Sequence, residues 1–167
     1  MNFENSSIEN KEVVDPKNEF VFCLNNGHIP GAVEIGKKFN LSEDFIKESV
    51  EKEFISCLNG GHISRAVEIK SWFKISEEFV NSSEVREAAK SCFIFKLNNG
   101  EFSFALKIKE IFKISEEFIN SSEVQESAKN GFISKLRRDY NANIEIGKKF
   151  NLSEDFIKES VEKEFIS

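Results

Sequence analysis

One 23-residue segment occurs twice, letter for letter, in this 167-residue chain. The sequence EIGKKFNLSEDFIKESVEKEFIS fills positions 34–56 and again 145–167. Two diverged versions lie between them, around SWFKISEEFVNSSEV and EIFKISEEFINSSEV. A phenylalanine recurs at positions 39, 73, 112 and 150, at intervals of 34, 39 and 38 residues. Periods of this length are typical of stacked supersecondary units, so the repeat constrains the fold more than any other feature does.

Each repeat is expected to contain two main helices, which we call helix A and helix B. A leading turn Ser-Glu-Asp/Glu-Phe starts the unit at 42–45, 76–79, 115–118 and 153–156. Serine is a preferred N-cap, and the acids suit the positive end of the helix dipole. Asn81 and Asn120 are expected to cap helix A. Glycines at 27, 61 and 100 are expected to end it, and helix B follows. The apolar stripe of helix A in the third unit comprises Val85, Ala88, Ala89, Cys92, Phe93 and Leu97.

These patterns predict an all-α fold, an α-solenoid of about four tandem helix-hairpin repeats with an average period of about 37 residues. We expect a single repeat domain over 1–167. Its units are a worn partial repeat at 1–15, unit 1 at 16–41, unit 2 at 42–75, unit 3 at 76–114, unit 4 at 115–152 and a partial repeat at 153–167. The chain has 18 Phe beside one Trp and one Tyr. The recurring phenylalanine is therefore expected to lie buried between successive hairpins.

The beginning of helix B carries a common motif, G-x4-A-V-x-I, which starts at Gly27 and recurs from Gly61 and, with leucine for valine, from Gly100. Over about residues 17–167 this pattern resembles the tetratricopeptide and pentatricopeptide class of helical repeats. The resemblance implies a protein-binding array or, in the pentatricopeptide branch, RNA binding. That branch favours Asn, Ser or Thr at its base-reading positions, so its RNA code does not carry over to this chain. The corresponding positions here are Lys17, Glu51, Lys90 and Lys129.

The charge and the cysteine content limit the cellular compartment and the kinds of partner that we expect for this chain. The formal net charge of −6 argues against a chain whose main task is to neutralise phosphates. The N-terminal sequence has no basic region followed by an apolar stretch, and no run is long and apolar enough for a membrane span. Three cysteines without a spaced framework favour a reducing setting. We therefore expect an intracellular, cytoplasmic protein that does not engage membranes.

No motif in the sequence predicts catalysis, a metal or a cofactor. His28 and His62 follow the glycine turns of consecutive repeats, and a spacing of about 8–10 Å between hairpins is too wide for both to bind one ion. They are expected to be polar residues at the start of helix B. Cys23 and Cys57 have no histidine at the spacing of a nucleophile and its base. Because equivalent positions carry lysine, partial burial of these thiols is expected, with reactivity as the alternative.

Residues that vary at a fixed place in the repeat are the candidates for partner binding, because structure dictates the rest. Large apolar side chains replace small or charged ones at five places: Trp72, Ile111, Phe104, Phe95 and Phe22. Aromatic residues concentrate in interface hot spots, which makes these the candidate contact residues. The alternative is that they pack on a neighbouring repeat or on each other.

Two further groups are candidates for binding. A basic–aromatic cluster of Lys135, Arg137 and Arg138 with Tyr140 could hold a phosphate or an acidic peptide, or could simply be a solvated helix end. The C-terminal helix carries apolar residues that predict head-to-tail or end-to-end self-association, unless this helix folds back onto unit 4. These residues are Phe156, Ile157, Val161 and Phe165.

The sequence thus predicts a non-enzymatic repeat scaffold that binds a protein or peptide along its surface. RNA or single-stranded nucleic acid binding is the first alternative, with the negative net charge against it. A self-assembling structural protein, joined through the C-terminal helix into a homo-oligomer, is the second. The identical segment at 34–56 and 145–167 is expected to be framework, since a unique site would seldom be needed twice.

Overall fold

The computed structural model describes residues 15–136, 144 and 147–165, with the side chain of Phe165 excepted. This part of the chain is all-helical and contains no β-strand, so the predicted all-α class is confirmed. Residues 147–149 are also helical. The ten helices with defined bounds are α1 (Pro16–Asn25), α2 (Ile29–Lys38), α3 (Glu43–Asn59), α4 (Ile63–Phe73), α5 (Glu77–Val80), α6 (Ser83–Asn98), α7 (Phe102–Phe112), α8 (Glu116–Ile119), α9 (Ser122–Leu136) and α10 (Glu154–Phe165).

None of the described helices combines the length and hydropathy that a bilayer span requires. Helix A of the repeat corresponds to α1, α3, α6, α9 and α10, and helix B corresponds to α2, α4 and α7. Residues 1–14 of the worn partial repeat lie outside the described residues. So do Arg137, Arg138 and Tyr140 in the diverged turn of unit 4.

Serine side chains start the helices of the third and fourth units. The Ser76 and Ser115 hydroxyl oxygens each accept a 3.2 Å hydrogen bond from the backbone N–H three residues on, which begins the short helices α5 and α8. The cap of α6 is Ser82, whose hydroxyl oxygen accepts from the Val85 N–H at 3.4 Å. The prediction that Asn81 caps helix A is therefore wrong. Asn81 instead ends α5, and its side-chain amide donates to the Glu77 carbonyl at 2.7 Å.

Asn120 is placed in the same way as Asn81. It ends α8, and the hydroxyl of the following residue, Ser121, accepts from the Val124 N–H at 3.4 Å. In both units the sequence offers two polar cap residues in a row. The short leading helix uses the first of them at its C-terminus, which leaves the second for helix A.

Glycine makes the turn between helix A and helix B in three units. Gly27, Gly61 and Gly100 have φ values of 76°, 73° and 65°, in the left-handed region that glycine adopts without strain. The next residue donates its N–H to a carbonyl five residues back; for His62 this acceptor is Cys57, at 2.7 Å. This is the Schellman arrangement, and it brings the two helices together as a hairpin.

Helix B ends in the same arrangement without glycine. The residue after the recurring phenylalanine is left-handed in every described unit, with φ between 49° and 56°. Lysine or asparagine fills this place, at Asn40, Lys74, Lys113 and Asn151. A side chain in this conformation costs free energy that glycine avoids, so these positions hold local backbone strain.

The chain divides into two compact units, residues 1–49 and 50–167. In the first unit α1 packs against α2, and the ring of Phe20 lies 5.8 Å from that of Phe45. Its buried hydrophobic residues are Phe20, Leu24, Ile29 and Ala32.

In the second unit α6 packs against α7 and α9, and α9 packs against α10. A phenylalanine of helix A contacts rings of the following repeat each time. The ring centroid of Phe54 is 6.2 Å from that of Phe79 and 6.3 Å from that of Phe112. Phe93 repeats the pattern with Phe118 at 6.3 Å and Phe150 at 6.1 Å.

The recurring phenylalanine of helix B is not uniformly buried. Phe112 and Phe150 are 7% and 1% exposed, and Phe73 is half-buried, but Phe39 is 42% exposed. The prediction that all four rings are buried is therefore wrong for Phe39. Phe112 and Phe150 each contact a phenylalanine from the helix A before them, whereas no described helix precedes α1 to supply such a ring to Phe39.

Helices α6 and α9 approach closely at Gly131, which is buried. A Cβ atom at this position would lie 1.8 Å from the Leu97 carbonyl oxygen and 3.0 Å from the Gly100 nitrogen. Both neighbours are backbone atoms, which cannot rotate away as a side chain would. Gly131 therefore sets the distance between the two helices.

We expect Gly131→Ala to lower the free energy of unfolding by about 3 kcal/mol or more, since the methyl group must push two backbones apart. Chemical denaturation followed by circular dichroism measures this change. Gly31→Ala is the matched control in α2, because its Cβ would meet the exposed His28 side chain, which can rotate. Helix propensity favours alanine there by about 1 kcal/mol. Wild-type stability of Gly131→Ala would contradict the close approach.

The strained helix ends give a second prediction. Lys74→Gly should raise the free energy of unfolding by about 1 kcal/mol, because glycine adopts the left-handed conformation without a steric penalty. The same substitution at Lys107, which is exposed in the middle of α7, should lower it by about 1 kcal/mol. Thermal and urea unfolding of both variants measure the two effects. A loss of stability in Lys74→Gly would argue against strain at this position.

Candidate binding surface

The candidate contact residues that sequence comparison of the repeats singled out are mostly on the surface. Phe95 is 50% exposed and Phe104 is 38% exposed, and Trp72 and Phe22 are also exposed. Ile111 is half-buried. Phe22 belongs to the first compact unit, and the other four belong to the second.

Phe95 and Phe104 come together around a lysine. Phe95 lies in the last turn of α6 and Phe104 in the first turn of α7, so the glycine turn between these helices brings them to the same end of one hairpin. The Lys96 ammonium nitrogen is 5.6 Å from the centroid of the Phe95 ring and 5.2 Å from that of Phe104. It also forms a 2.8 Å ion pair with Glu101. We call Phe95, Lys96 and Phe104 the aromatic–lysine cluster.

The aromatic–lysine cluster is held in place by packing of the Lys96 stem and of one side of the Phe95 ring. The Lys96 side chain is only 12% exposed, so its aliphatic part is packed while the charge stays near the surface. The Phe95 ring lies over the preceding hairpin turn, since a Cβ at Gly61 would be 2.9 Å from two of its ring carbons. The alternative interpretation of Phe95, packing on a neighbouring repeat, thus holds for one side of the ring. The other side remains accessible.

A cleft of about 300 Å³ opens beside the cluster. Its cationic side chains are Lys96 and Arg65, and Arg65 forms a 2.8 Å ion pair with Glu53. Among the described residues that line the cleft there is no Asp or Glu, although Glu101 and Glu53 pair with its two cations from beside it. The lining residues are Gly61, His62, Ile63, Ser64, Arg65, Lys96 and Phe104. The cleft therefore presents an aromatic face and two cations to a ligand, on a chain with a net charge of −6.

Trp72 and Ile111 do not join the cluster. They lie in the last turns of α4 and α7, whereas Phe104 lies in the first turn of α7. The seven residues from Phe104 to Ile111 span about 10 Å along the helix axis. The structure thus divides the predicted contact residues of the second unit between two places. It also exposes Ile133, which the repeat comparison missed because isoleucine occupies this place in units 2 and 3 as well.

Only one member of the predicted anion site is described. Lys135 in α9 is half-buried and takes the place in its repeat that Lys96 takes in the third. Its side chain packs against the hairpin turn, since a Cβ at Gly100 would lie 2.4 Å from its Cγ. Arg137, Arg138 and Tyr140 are outside the described residues, so the site stays a prediction.

The predicted self-association residues are partly used inside the chain. Ile157 is buried, and the Phe156 ring lies 5.9 Å from that of Phe132 with the Lys129 ammonium 5.5 Å above it. These two are therefore not free contact residues, which corrects the prediction for them. The physical reason is that α10 packs on α9. Val161 is half-buried, and the side chain of Phe165 lies outside the described part.

Three of the four positions that correspond to base-reading residues have a packing role. The ammonium groups of Lys17, Lys90 and Lys129 lie 5.1, 5.2 and 5.5 Å from the ring centroids of Phe45, Phe118 and Phe156. In each case the lysine of helix A covers the leading-turn phenylalanine of the next repeat. The three lysines are thus engaged in cation–π contacts within the chain.

The cysteines have the properties of packed, protonated thiols. Burial, together with the hydrogen bond that its Sγ donates to the Glu53 carboxylate at 3.3 Å, raises the pKa of Cys57 to about 12. Burial likewise raises the pKa of Cys92 to about 11. The alternative of reactive thiols is therefore not supported at these two positions. Cys23 is half-buried.

His28 and His62 are exposed and lie at the N-caps of α2 and α4. Within the described residues, no group of three or more His, Cys, Asp and Glu side chains is placed to hold a metal ion.

The raised thiol pKa values predict a loss of stability in alkali. Below pH 9 both the folded and the unfolded chain keep these protons, so the thiols make no pH-dependent contribution. Above pH 9 the unfolded chain releases protons that the folded chain holds until about pH 11 to 12, so unfolding becomes more favourable as pH rises. Urea unfolding from neutral pH to about pH 11 should show a steeper decline for the wild type than for Cys57→Ala/Cys92→Ala. Parallel pH profiles would show that the thiols are accessible.

No protein-family model, no curated protein and no solved structure matches this chain. The resemblance to the tetratricopeptide and pentatricopeptide class stays a prediction from the sequence motif.

Proposed function

We propose that this chain is a non-enzymatic α-solenoid scaffold that binds a peptide segment of another protein in the cleft beside the aromatic–lysine cluster. The observation that carries the proposal is the position of Lys96 between two exposed phenylalanine rings, both within 6 Å of its ammonium group. Aromatic residues, phenylalanine included, are enriched at protein interfaces, and here two of them are exposed side by side.

The solenoid part of the proposal is supported by the recurring ring contacts. Phe54, Phe93 and Phe132 each meet a ring of the following repeat at about the same distance. A contact that recurs with the sequence period is what stacked hairpins of about four repeats would make. It fits the tetratricopeptide-like or pentatricopeptide-like build that the helix B motif resembles.

The position of the cluster along the sequence also supports a binding role. All three of its residues lie between the two identical 23-residue segments, in repeats that have diverged. Phe104 stands where unit 2 has Arg65, and Phe95 stands where unit 2 has Ser56. Neither phenylalanine is required by the fold, since the neighbouring hairpin forms without it.

The charges of the cleft favour a peptide with an acidic residue next to an apolar one. The Lys96 ammonium forms a 2.8 Å ion pair with Glu101, and the Arg65 guanidinium forms a 2.8 Å ion pair with Glu53; the Lys96 ammonium carries three N–H donors in all. An apolar side chain of the ligand would cover the exposed rings of Phe95 and Phe104. A carboxylate beside it would share the cations with Glu101 and Glu53.

Nucleic acid is the weaker alternative. The net charge is −6, and Lys17, Lys90 and Lys129 already cover phenylalanine rings. A salt-dependent gel shift with random-sequence RNA would favour this alternative over the peptide.

A selection from a display library of short random peptides tests the proposal. We expect enrichment of peptides that pair an apolar residue with Asp or Glu. For such a peptide, Phe104→Ala should weaken binding by about 2 kcal/mol, or roughly 30-fold, measured by isothermal titration calorimetry. Lys96→Met keeps the packed stem but removes the charge, so it should weaken acidic peptides more than their amide analogues.

Trp72→Ala is the matched control, because it removes an aromatic residue that is more exposed than Phe104 and does not line the cleft. It should leave the affinity unchanged, and thermal melting shows whether each variant is folded. Equal affinity of wild type and Phe104→Ala for the selected peptides, or a selection that enriches no peptide, would refute the cleft as the binding site.

A further inference from the structure

Each ring contact between one helix A and the next repeat has two sides. We call them the donor side and the acceptor side, and here the terms do not refer to hydrogen bonds. The donor is the phenylalanine of helix A, such as Phe93, and the acceptors are rings of the following repeat, such as Phe150 at 6.1 Å. A second donor, Phe54, meets Phe112 at 6.3 Å. In these two pairs a helix A phenylalanine and a helix B phenylalanine are thus complementary.

Helix α10 carries a helix A surface that is only partly covered. Its sequence over 154–165 repeats that of α3 over 43–54 letter for letter. Val161 corresponds to Val50, which is 2% exposed, yet Val161 is half-buried. A cleft of about 360 Å³ lies beside it, lined by Lys148, Glu154, Ile157, Lys158, Val161 and Glu162.

Phe39 is an acceptor ring without a described donor. It occupies the place of Phe112 and Phe150 in its repeat, and it is 42% exposed where they are buried. Lys38 lies with its ammonium 5.0 Å from the ring centroid, which leaves the exposed part of the ring open. The described part of the chain therefore carries both a partly covered donor helix and a partly exposed acceptor ring.

We propose that these two surfaces bind each other between copies, so that α10 of one molecule packs on Phe39 and helix α2 of a second copy. The occupant is a second copy of this chain because α10 has the sequence of α3, whose buried face already makes this kind of contact in the second compact unit. The two surfaces differ, so the contact is heterologous and joins molecules head to tail.

This inference is independent of the peptide cleft, whose residues take no part in it. Sedimentation equilibrium of the full chain, from micromolar to near-millimolar concentration, should show a mass that rises above 19.1 kDa. Phe39→Glu and Val161→Glu should each abolish the rise, because each removes one of the two surfaces. Phe39→Ala is a milder variant at an exposed site, and it should weaken association without a change in fold.

A mixture of the two glutamate variants gives the sharpest result. Phe39→Glu keeps the donor helix and Val161→Glu keeps the acceptor ring, so together they should form a dimer of twice the chain mass and nothing larger. Phe22→Glu, in the same hairpin but outside the proposed contact, should associate as the wild type does. Phe104→Ala should do the same, which separates this test from that of the cleft.

Three outcomes would overturn the proposal. A wild-type chain that stays monomeric over the whole range shows that the surfaces do not bind. Association of Phe39→Glu alone shows a symmetric contact through α10. If Phe22→Glu and Phe39→Glu impair association equally, the contact is made by a different face of the first hairpin.

Discussion

Contact between phenylalanine rings of consecutive repeats is the interaction on which the rest of the structure depends. Each helix A from α1 to α9 buries one such ring, at Phe20, Phe54, Phe93 and Phe132, and each of these rings meets the leading-turn phenylalanine that follows. Tilted aromatic pairs at about 6 Å add to the apolar area that they bury. Because the same contact recurs, the lengths of the connections can vary between repeats while the core stays the same.

Most of the local structure follows from the sequence because it depends on neighbours along the chain. The serine caps, the glycine turns and the apolar stripe of helix A all act within a few residues, and the period carries them from one repeat to the next. The misplaced cap at Asn81 has a similar local cause, since two adjacent polar residues serve two adjacent helix ends. The left-handed lysines at 74 and 113 could not be predicted, because lysine gives no signal for that conformation.

The candidate binding surface was predictable only in part, because it depends on contacts between repeats. Comparison of equivalent positions found Phe95 and Phe104, but it gave equal weight to Trp72 and Ile111, which lie at the other end of their helices. It also missed Lys96, whose role comes from two rings and a carboxylate that no sequence pattern links. The exposure of Phe39 was missed for the same reason, since burial of a ring depends on which helix lies against it.

The identical residues of α3 and α10 separate the effect of sequence from that of surroundings. Val50 and Val161 have the same neighbours along the chain for several residues on either side, yet Val50 is buried and Val161 is half-buried. Burial of this valine therefore depends on what lies against its helix, and not on the sequence of the helix alone. Unfolding should therefore begin at α10, whose helix A surface is only partly covered. Helix α3, which has the same sequence and a buried Val50, should be among the last segments to unfold.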